Sequence, residues 1–324
     1  MRTIAMTMGD AAGVGPEIIA GAWKHLCQIP DCRCVVYGHP EMMRRAAALR
    51  GESSEIRCVP CCSDDVAEVP AGQIDARAGL AAYQCIVRAI ADAKNGKADA
   101  VVTAPIHKAA LNLAGFHYPG HTEIFAEQCG VNDFAMMLYL GAGENIQGEF
   151  GLAVVHVTLH TAMKTVFDQI TAESVSAKIV LADRFMRTMI GGKRPPRIGV
   201  CSLNPHAGEN GLFGDEEIRI IRPAVRHAVE NGILAEGPKP ADTIMIDAKN
   251  GQYDAVVAMF HDQGHIALKL LGMHRAVNIT LGLPIIRTSV AHGTAFDKAW
   301  QGTALTGSFI EAVNTAVKLA AVKR

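Results

Sequence analysis

Short apolar runs that alternate with helical segments are the feature of this sequence that most limits its fold. Runs typical of β-strands occur at 3–8, 34–38, 98–105, 134–140, 150–160, 197–203 and 254–259. Helical periodicity follows several of them, at 77–95, 171–190 and 215–230. This alternation predicts an α/β protein whose mainly parallel sheets are covered by helices on both faces.

The composition is typical of a globular protein that acts on small molecules. The chain has 324 residues, of which 49% are hydrophobic, 19% charged and 5% aromatic, and its net charge is −1. This length suits two domains or one large one. The near-zero charge and the few aromatic residues argue against a nucleic-acid partner. No apolar run approaches the roughly 20 residues of a membrane helix, so we expect no membrane partner.

The nine cysteines are spread over a long chain, which predicts reduced thiols and a cytoplasmic location. Cys58, Cys61 and Cys62, together with Cys32 and Cys34, resemble the spacing of zinc ligands. The paired CxxC pattern of a structural zinc site is missing, so free thiols are the better interpretation.

Three of the 13 histidines, His156, His206 and His261, each follow a separate strand-like run. Ligands bind open α/β sheets at the carboxyl ends of strands. Imidazoles at neighbouring strand ends can therefore bind one divalent cation, even when they come from different chains. Three nitrogen ligands with open coordination positions are typical of a catalytic metal site. The alternative is three unrelated loop histidines.

The segment 260–297 concentrates groups that suit an anion. Lys269 and Arg287 bring positive charge, and Asn278 and Thr280 bring neutral donors. An arginine fork, a lysine charge and amide donors together suit a phosphate. Two ordinary solvated cations would give the same pattern.

Two other groups of polar residues lie where a ligand is expected. The run 98–105 leads directly into His107 and Lys108. A predicted helix at 122–129 begins with His121 and Thr122. Thr122 could simply be the N-cap of that helix, with His121 facing the same crevice.

Seven motifs together resemble the 4-hydroxythreonine-4-phosphate dehydrogenase family. They are TMGDAAGVGPE, TAPIHK, GHTE, LNPHAGENGLFGDEE, PADT, HDQGHIALK and VNITLGLPIIRTSVAHGTAFD, within residues 7–302. The resemblance implies a homodimer of two-domain α/β subunits similar to isocitrate and isopropylmalate dehydrogenases. It also implies a site in the interdomain cleft that the partner chain completes. We expect residues 1–134 and 285–324 to form the first domain and 135–284 the second.

The resemblance also implies roles for individual residues. One divalent cation per site (Zn, Mg, Co or Mn) would be bound by His156, His206 and His261. The substrate contacts would be His121, Thr122, Lys269, Asn278 and Arg287. A loop similar to the adenosine-binding loop of β-decarboxylating dehydrogenases implies binding of NAD or NADP without a Rossmann motif, through His292, Gly293, Thr294, Ala295 and Asp297.

The implied reaction oxidises the C3 hydroxyl of a 4-phosphorylated hydroxy acid and then releases carbon dioxide, as in pyridoxal phosphate biosynthesis. The cation would lower the pKa of the hydroxyl, a base would take its proton, and hydride would pass to the nicotinamide. Asp242, expected near the reacting centre, Lys108 and a metal-bound water are the candidates for that base.

The sequence departs from the family pattern at two places. Ala291, in the predicted cofactor loop, stands where the family usually carries an aspartate, and His265-Ile266 stands where pyridoxine-pathway enzymes carry Leu-Pro. With LFGDEE and GTAFDKAW, the second departure makes the sequence resemble relatives that oxidise D-threonate or D-erythronate 4-phosphate. Another branch oxidises a terephthalate-derived dihydrodiol. Two hypotheses of other classes are a non-catalytic phosphometabolite-binding protein and a structural zinc protein.

Overall fold

The computed structural model describes residues 1–322, which form two compact units. The first unit comprises residues 1–134 and the chain from Leu283 onward, and the second is Ala135–Gly282. The second domain expected from the sequence, 135–284, differs from this division only at its last two residues.

Eleven strands lie within residues 1–322. They are β1 (Arg2–Thr7), β2 (Cys32–Gly38), β3 (Cys58–Pro60), β4 (Ala100–Thr103), β5 (Ala135–Leu140), β6 (Leu152–His156), β7 (Arg197–Cys201), β8 (Leu234–Lys239), β9 (Ala255–Ala258), β10 (Val277–Leu281) and β11 (Ile286–Val290).

The α-helices of the same residues also number eleven. They are α1 (Gly15–Leu26), α2 (Pro40–Leu49), α3 (Ala76–Lys94), α4 (Lys108–Leu113), α5 (His121–Cys129), α6 (Met163–Gln169), α7 (Ala172–Ile190), α8 (Arg222–Glu230), α9 (Ala241–Lys249), α10 (His261–Gly272) and α11 (Gly307–Val322). None of them combines the length and the apolar character that crossing a membrane requires.

In the first unit the strand order is β3-β2-β1-β4-β11, and every pair in it is parallel. Helix α3 packs on β1, β2 and β4, and α11 packs on β1, β4 and β11. All four residues of β4 are buried, as expected for a central strand of a parallel sheet. The carboxyl ends of β1, β4 and β11 therefore meet at one edge of this sheet.

The second unit has the strand order β10-β5-β6-β9-β7-β8. The pairs β10–β5 and β5–β6 are antiparallel, whereas β6–β9, β9–β7 and β7–β8 are parallel. The prediction of an α/β protein with mainly parallel sheets is confirmed, with β5 as the antiparallel exception. The carboxyl ends of β6, β9 and β7 share one edge.

Helix boundaries follow local chemistry. Pro16 occupies the first turn of α1, where its missing N–H has no partner to lose. Thr171 caps α7 through a reciprocal pair of bonds with Ser174, and Gly191 ends that helix with φ of 64°. These ends agree with the sequence patterns.

Two sequence predictions need correction. The strand expected at 150–160 is shorter and ends at His156. The helix expected at 215–230 consists of a π-turn, Glu217–Ile221, followed by α8. Pro223 has no N–H for an ordinary helical bond, and the amide of Arg222 bonds to the more distant carbonyl of Glu217.

Candidate functional site

Histidine side chains gather at the carboxyl ends of β6 and β9 in the second unit. His156 ends β6 beside Ala258 of β9, and His261 begins α10 just after β9. The ring centroids of His156 and His261 are 6.4 Å apart. His265, one helical turn further along α10, contacts both. Its Nδ1 lies 3.0 Å from Nε2 of His156, and its ring stacks on His261 with centroids 3.8 Å apart.

A glycine on α10 makes this approach possible. A Cβ atom at Gly264 would lie 2.4 Å from Nε2 of His156 and 2.6 Å from Cγ1 of Val154. Any side chain at this position would displace the imidazole or the helix. Gly264 therefore fixes how closely α10 lies against β6.

The protonation of the cluster suits a divalent cation. Burial lowers the pKa of His156 well below its usual range, and burial with the charge of His261 lowers the pKa of His265 to about 3. Both rings are therefore neutral at physiological pH, as a metal ligand must be. His261 donates from Nδ1 to Oδ1 of Asp262 at 2.6 Å, which leaves the lone pair on Nε2 for a cation. Imidazole nitrogens are among the donors that bind zinc and other divalent transition metals.

His206 lies in a different local setting. The segment Pro205–Gly211 follows β7 and contains six consecutive residues with positive φ, including 52° at His206. The carboxylate of Glu217 supports the start of this left-handed turn by accepting bonds from the amides of Leu203 and Asn204. The side chain of His206 is 71% exposed, and its Nδ1 lies 3.6 Å from Oε1 of Glu209.

The structure thus brings two of the three predicted metal ligands together. Over residues 1–322, no three or more histidine, cysteine, aspartate or glutamate side chains of this chain form a group that could hold a metal ion. His156 and His261 are neighbours, whereas His206 shows no ring contact with either of them in that range. The predicted ligand set of His156, His206 and His261 stays a prediction.

The cysteine pattern does not produce a metal-binding group either. All nine cysteines are free thiols, and the Sγ atoms of Cys32 and Cys34 are 3.8 Å apart. Within residues 1–322, Cys58, Cys61 and Cys62 are not part of any group that could hold zinc.

A buried arginine lies in the first unit. Arg287 on β11 is 2% exposed, and its Nη2 donates to Oγ1 of Thr103 at 2.8 Å. Its guanidinium lies over the ring of Phe125, 5.6 Å from the centroid. Burial lowers the pKa of Arg287 to about 9, so the side chain is still a cation at neutral pH. A buried, geometrically fixed guanidinium is suited to a phosphate or carboxylate.

His121 and Thr122 begin helix α5 close to this charge. Burial and the charge of Arg287 lower the pKa of His121 well below its usual range, so its imidazole is neutral. The N-cap of α5 is Gly120, which makes the alternative of Thr122 as N-cap wrong. The side chain of Thr122 therefore has no capping role in the first turn.

The other predicted substrate contacts lie in the second unit. Asn278 on β10 contacts Sδ of Met136 through Nδ2 at 3.4 Å, and its buried Oδ1 has no hydrogen-bond partner within residues 1–322. Lys269 lies on α10, and its charge contributes to the lowered pKa of His265. Lys269 is therefore close to the histidine cluster.

The two candidates for the general base are both exposed. Asp242 lies in the first turn of α9, and Lys108 is the first residue of α4. Their assignment as base stays a prediction.

The predicted cofactor loop follows β11 and packs against the turn after β1. The carbonyl of Thr294 accepts a bond from the amide of Val14 at 3.0 Å. A Cβ atom at Gly13 would lie 3.0 Å from Cβ of Thr294, so the glycine allows this contact. Ala295 has the left-handed φ of 44° and leads into the short helical turn Phe296–Lys298.

The remaining loop residues are more accessible. Nδ1 of His292 donates to the carbonyl of Gly293 at 2.9 Å. Gly293 is exposed, with no atom within 4 Å of where a Cβ would lie, so a ligand can approach its backbone. Phe296 stacks on His107 with centroids 4.6 Å apart, and Asp297 is exposed. The loop thus offers an open glycine backbone and an aromatic ring, both of which suit contact with a nucleotide.

Sequence reasoning missed two buried carboxylates that organise this loop. Oδ1 of Asp10 accepts a bond from the amide of Ala12 at 2.8 Å, and the side chain is buried. Glu17 is fully buried and accepts bonds from the amides of Trp300 and Gly302. Both residues belong to the motif TMGDAAGVGPE, which was the available signal.

The fold places the chain among α/β proteins of the isocitrate dehydrogenase type. An isocitrate dehydrogenase from Methylococcus capsulatus superposes with a TM-score of 0.51, over 100% of this chain and 88% of that one. The two are 14% identical, so this likeness concerns the fold alone. It agrees with the fold predicted from the sequence.

The chain belongs to the family described as "Pyridoxal phosphate biosynthetic protein PdxA", whose model matches residues 30–316. A D-threonate 4-phosphate dehydrogenase from Salmonella typhimurium is 44% identical over 98% of this chain and 99% of its own length. A 4-hydroxythreonine-4-phosphate dehydrogenase from Beijerinckia indica is 46% identical over 98% and 94%. The crystal structure of a 4-hydroxythreonine-4-phosphate dehydrogenase from Klebsiella pneumoniae gives a TM-score of 0.84 at 42% identity, covering 99% of this chain and all of that one.

These relatives confirm the predicted family. The chain is an oxidoreductase that acts on a hydroxyl group, since its relatives over nearly full length are dehydrogenases.

Proposed function

We propose that this enzyme oxidises the C3 hydroxyl of a 4-phosphorylated hydroxy acid with NAD or NADP and then releases carbon dioxide from the β-keto acid. The observation that carries the proposal is the pair of neighbouring imidazoles, His156 and His261, at adjacent strand ends. Imidazoles at adjacent strand ends are donors of the type that binds a divalent cation. A bound divalent cation supplies Lewis-acid stabilisation of negative charge on substrate oxygens, and a bound nicotinamide accepts hydride.

The chain's own residues orient the substrate. Arg287 offers a guanidinium that burial and Thr103 hold in one orientation, so little entropy is lost when it binds a phosphate. Asn278 offers a buried amide whose oxygen has no partner within residues 1–322. Lys269 adds a positive charge. We assign the phosphate to Arg287, with His121, Thr122, Lys269 and Asn278 as further substrate contacts.

The proton of the C3 hydroxyl passes to a base on the protein or to water. Asp242 is a carboxylate and can accept it directly, whereas Lys108 must first be neutral. Asp242→Asn should therefore lower kcat with little change in KM, and Lys108→Met should do so only if the lysine is the base. The dinucleotide is assigned to the loop His292–Asp297.

The native substrate is one of two phosphorylated acids. Relatives similar to this chain include a D-threonate 4-phosphate dehydrogenase and a 4-hydroxythreonine-4-phosphate dehydrogenase at nearly equal identity. The HDQGH sequence at His265 favours D-threonate or D-erythronate 4-phosphate. NADH or NADPH absorbance should be followed with both acids, 4-phosphohydroxy-L-threonine and a cyclic dihydrodiol. Tight binding without turnover of any of them would instead favour a binding protein.

We also propose that the active form is a cytoplasmic homodimer in which a second copy completes the metal site. The support is that His206 is 71% exposed and shows no ring contact with the histidine cluster of its own chain in the described range. The test mixes two inactive variants, His206→Ala and His261→Ala, after reversible dissociation. In a mixed dimer with shared sites, one of two sites is intact, so a one-to-one mixture regains roughly a quarter of wild-type activity. No recovery would mean that each site uses one chain.

A further inference from the structure

A carboxylate lies buried beneath the segment that follows the predicted cofactor loop. Glu17, in the first turn of α1, is fully buried. One of its oxygens accepts a hydrogen bond from the amide of Trp300, and the other accepts a bond of 2.6 Å from the amide of Gly302. Removing a carboxylate from water costs free energy, and charge-assisted bonds of this kind offset that cost. The carboxylate of Glu17 is therefore directed at this backbone and not at solvent.

The backbone that Glu17 binds has an unfavourable conformation. Trp300 has a φ of 58°, and Ala295, earlier in the same loop, has a φ of 44°. Left-handed backbone is unfavourable for residues with a Cβ and persists only where neighbouring contacts determine it. Two bonds hold Trp300: its amide donates to Glu17, and its indole Nε1 donates to the carbonyl of Ala11 at 2.9 Å. Without the carboxylate, we expect this segment to relax to another conformation.

An arginine binds the same segment through its carbonyls. Arg50, the residue after α2, donates from Nη1 to the carbonyl of Gly302 and, at 3.1 Å, to that of Ala304. Gly302 is thus bound by an anion at its amide and by a cation at its carbonyl. The segment after the cofactor loop is therefore held by Glu17 on one side and by Arg50 on the other.

The loop has little freedom between these contacts and its exposed part. The carbonyl of Thr294 accepts a bond from an amide of the turn after β1. Two amide bonds close the short helical turn Phe296–Lys298, which lies just before Trp300. A shift of Trp300 is therefore passed through one compact turn to the part of the loop that contains Gly293.

We propose that Glu17 and Arg50 are positioning residues for the dinucleotide. The proposal rests on the assignment of the dinucleotide to the loop His292–Asp297. Neither residue needs to touch the ligand. Together they fix the backbone at Trp300–Gly302, and so keep the exposed backbone of Gly293 in the conformation that the dinucleotide meets. A loop that is already ordered loses little conformational entropy on binding, so its order contributes directly to affinity.

The test measures the Kd of NAD⁺ and of NADP⁺ for the full-length protein by calorimetry, without substrate or divalent cation. Glu17→Gln keeps the shape of the side chain but has one acceptor oxygen, so the amide of Trp300 or of Gly302 loses its buried partner. The Kd of the dinucleotide should rise about tenfold or more. The KM for the phosphorylated acid at saturating dinucleotide should stay unchanged, because the proposed substrate contacts lie elsewhere.

Glu217→Gln is the matched control. Glu217 is 1% exposed and also accepts bonds from two backbone amides, but it lies in the second unit. Its variant should lose stability in thermal unfolding as Glu17→Gln does, while the Kd of the dinucleotide stays that of the wild type. An equal rise of Kd in both variants would mean that lost stability, and not the loop, weakens binding, and would overturn the proposal.

Two more variants separate the possible failures. Gly293→Val places a side chain in the open space of the loop, so it should weaken dinucleotide binding without changing stability. If it does so while Glu17→Gln binds like the wild type, the proposal is wrong. If Gly293→Val itself binds like the wild type, the assignment of the dinucleotide to this loop is wrong. Should Glu17→Gln not fold, Arg50→Met removes the two carbonyl bonds of a half-buried side chain and must raise the Kd; an unchanged Kd would overturn the proposal.

Discussion

Nδ1 of His261 donates a hydrogen bond of 2.6 Å to the carboxylate of the next residue, Asp262. This bond fixes the tautomer of the imidazole and leaves Nε2 as the only nitrogen that can bind a cation. Partners of this kind orient metal-binding histidines and raise their basicity. The side chain of Asp262 is 67% exposed, so it contributes to the orientation of His261 and not to the packing of the core.

Asp262→Asn should therefore weaken the binding of Co²⁺ or Zn²⁺ by about 10–100-fold while leaving the unfolding temperature nearly unchanged. The amide cannot hold the imidazole in the same tautomer as firmly as a carboxylate does. Chelator competition gives the affinity, and Asp168→Asn, an exposed aspartate on α6, serves as the control. Equal affinities in both variants would mean that His261 is not a ligand.

Arg287 should be more valuable for binding than for stability. The residue is 2% exposed, so its charge is buried. Burying a charge costs free energy, which the bond to Thr103 only partly offsets. Arg287→Met should raise KM for the phosphorylated substrate by about 100-fold or more, since charge-assisted bonds to the phosphate are lost. The same variant should unfold at an equal or higher temperature than the wild type.

Arg287→Lys provides the comparison for that experiment. It keeps the charge but loses the fork and the bond from Nη2 to Thr103, so its KM should lie between those of the wild type and Arg287→Met. Steady-state kinetics with one phosphorylated acid measure all three. An unchanged KM in Arg287→Met would remove this residue from the phosphate site.

The carboxyl group of Asp10 should make stability depend on pH. Burial raises its pKa from the ordinary 3.8 to about 6, against the opposing effect of bonds from the amides of Ala12 and His107. Between these two values the unfolded chain has released the proton while the folded protein still holds it. The contribution of Asp10 to the free energy of unfolding therefore falls as pH rises from about 4 to about 6 and is constant above that.

Asp10→Asn should remove this dependence, because an amide does not ionise in this range. The difference between the two pKa values means that the variant should be more stable than the wild type by up to about 3 kcal/mol at pH 7.5. Near pH 4 the variant's advantage should be much smaller. Urea unfolding of both proteins at several pH values measures it. A constant difference between the two proteins across the range would show that Asp10 does not titrate as expected.

The sequence allows prediction of residues whose proximity depends only on the order of the strands. His156 and His261 could be paired in advance, because residues that follow parallel neighbouring strands lie at one edge of a sheet. Its residue type makes Arg287 a candidate anion ligand. Its burial and its bond to Thr103 depend on the pairing of β11 with β4, which no local pattern in the sequence reports.

Other features depend on contacts that are distant in sequence or on an unusual backbone. Glu17 bonds to the amide of Gly302, 285 residues away, and nothing near Glu17 indicates that partner. The left-handed turn at His206 contains ordinary residues such as Ala207 and Glu209 at positive φ, which composition does not predict. The contact of His265 with His156 depends on how α10 packs against β6, which no local pattern in the sequence indicates.

Gly264→Ala should separate the function of α10 from its stability. In a helix interior, alanine is more favourable than glycine by about 1 kcal/mol, so the substitution should stabilise the helix itself. Its Cβ would lie 2.4 Å from Nε2 of His156, however, and that ring must move. The affinity for Co²⁺ should fall at least tenfold while the free energy of unfolding changes little. Gly21→Ala in α1 is the control for Co²⁺ affinity, because the atoms nearest to its Cβ belong to the guanidinium of Arg50 and not to a histidine. Chelator competition and urea unfolding without metal measure the two quantities, and an unchanged Co²⁺ affinity in Gly264→Ala would contradict the position of His156 in the cation site.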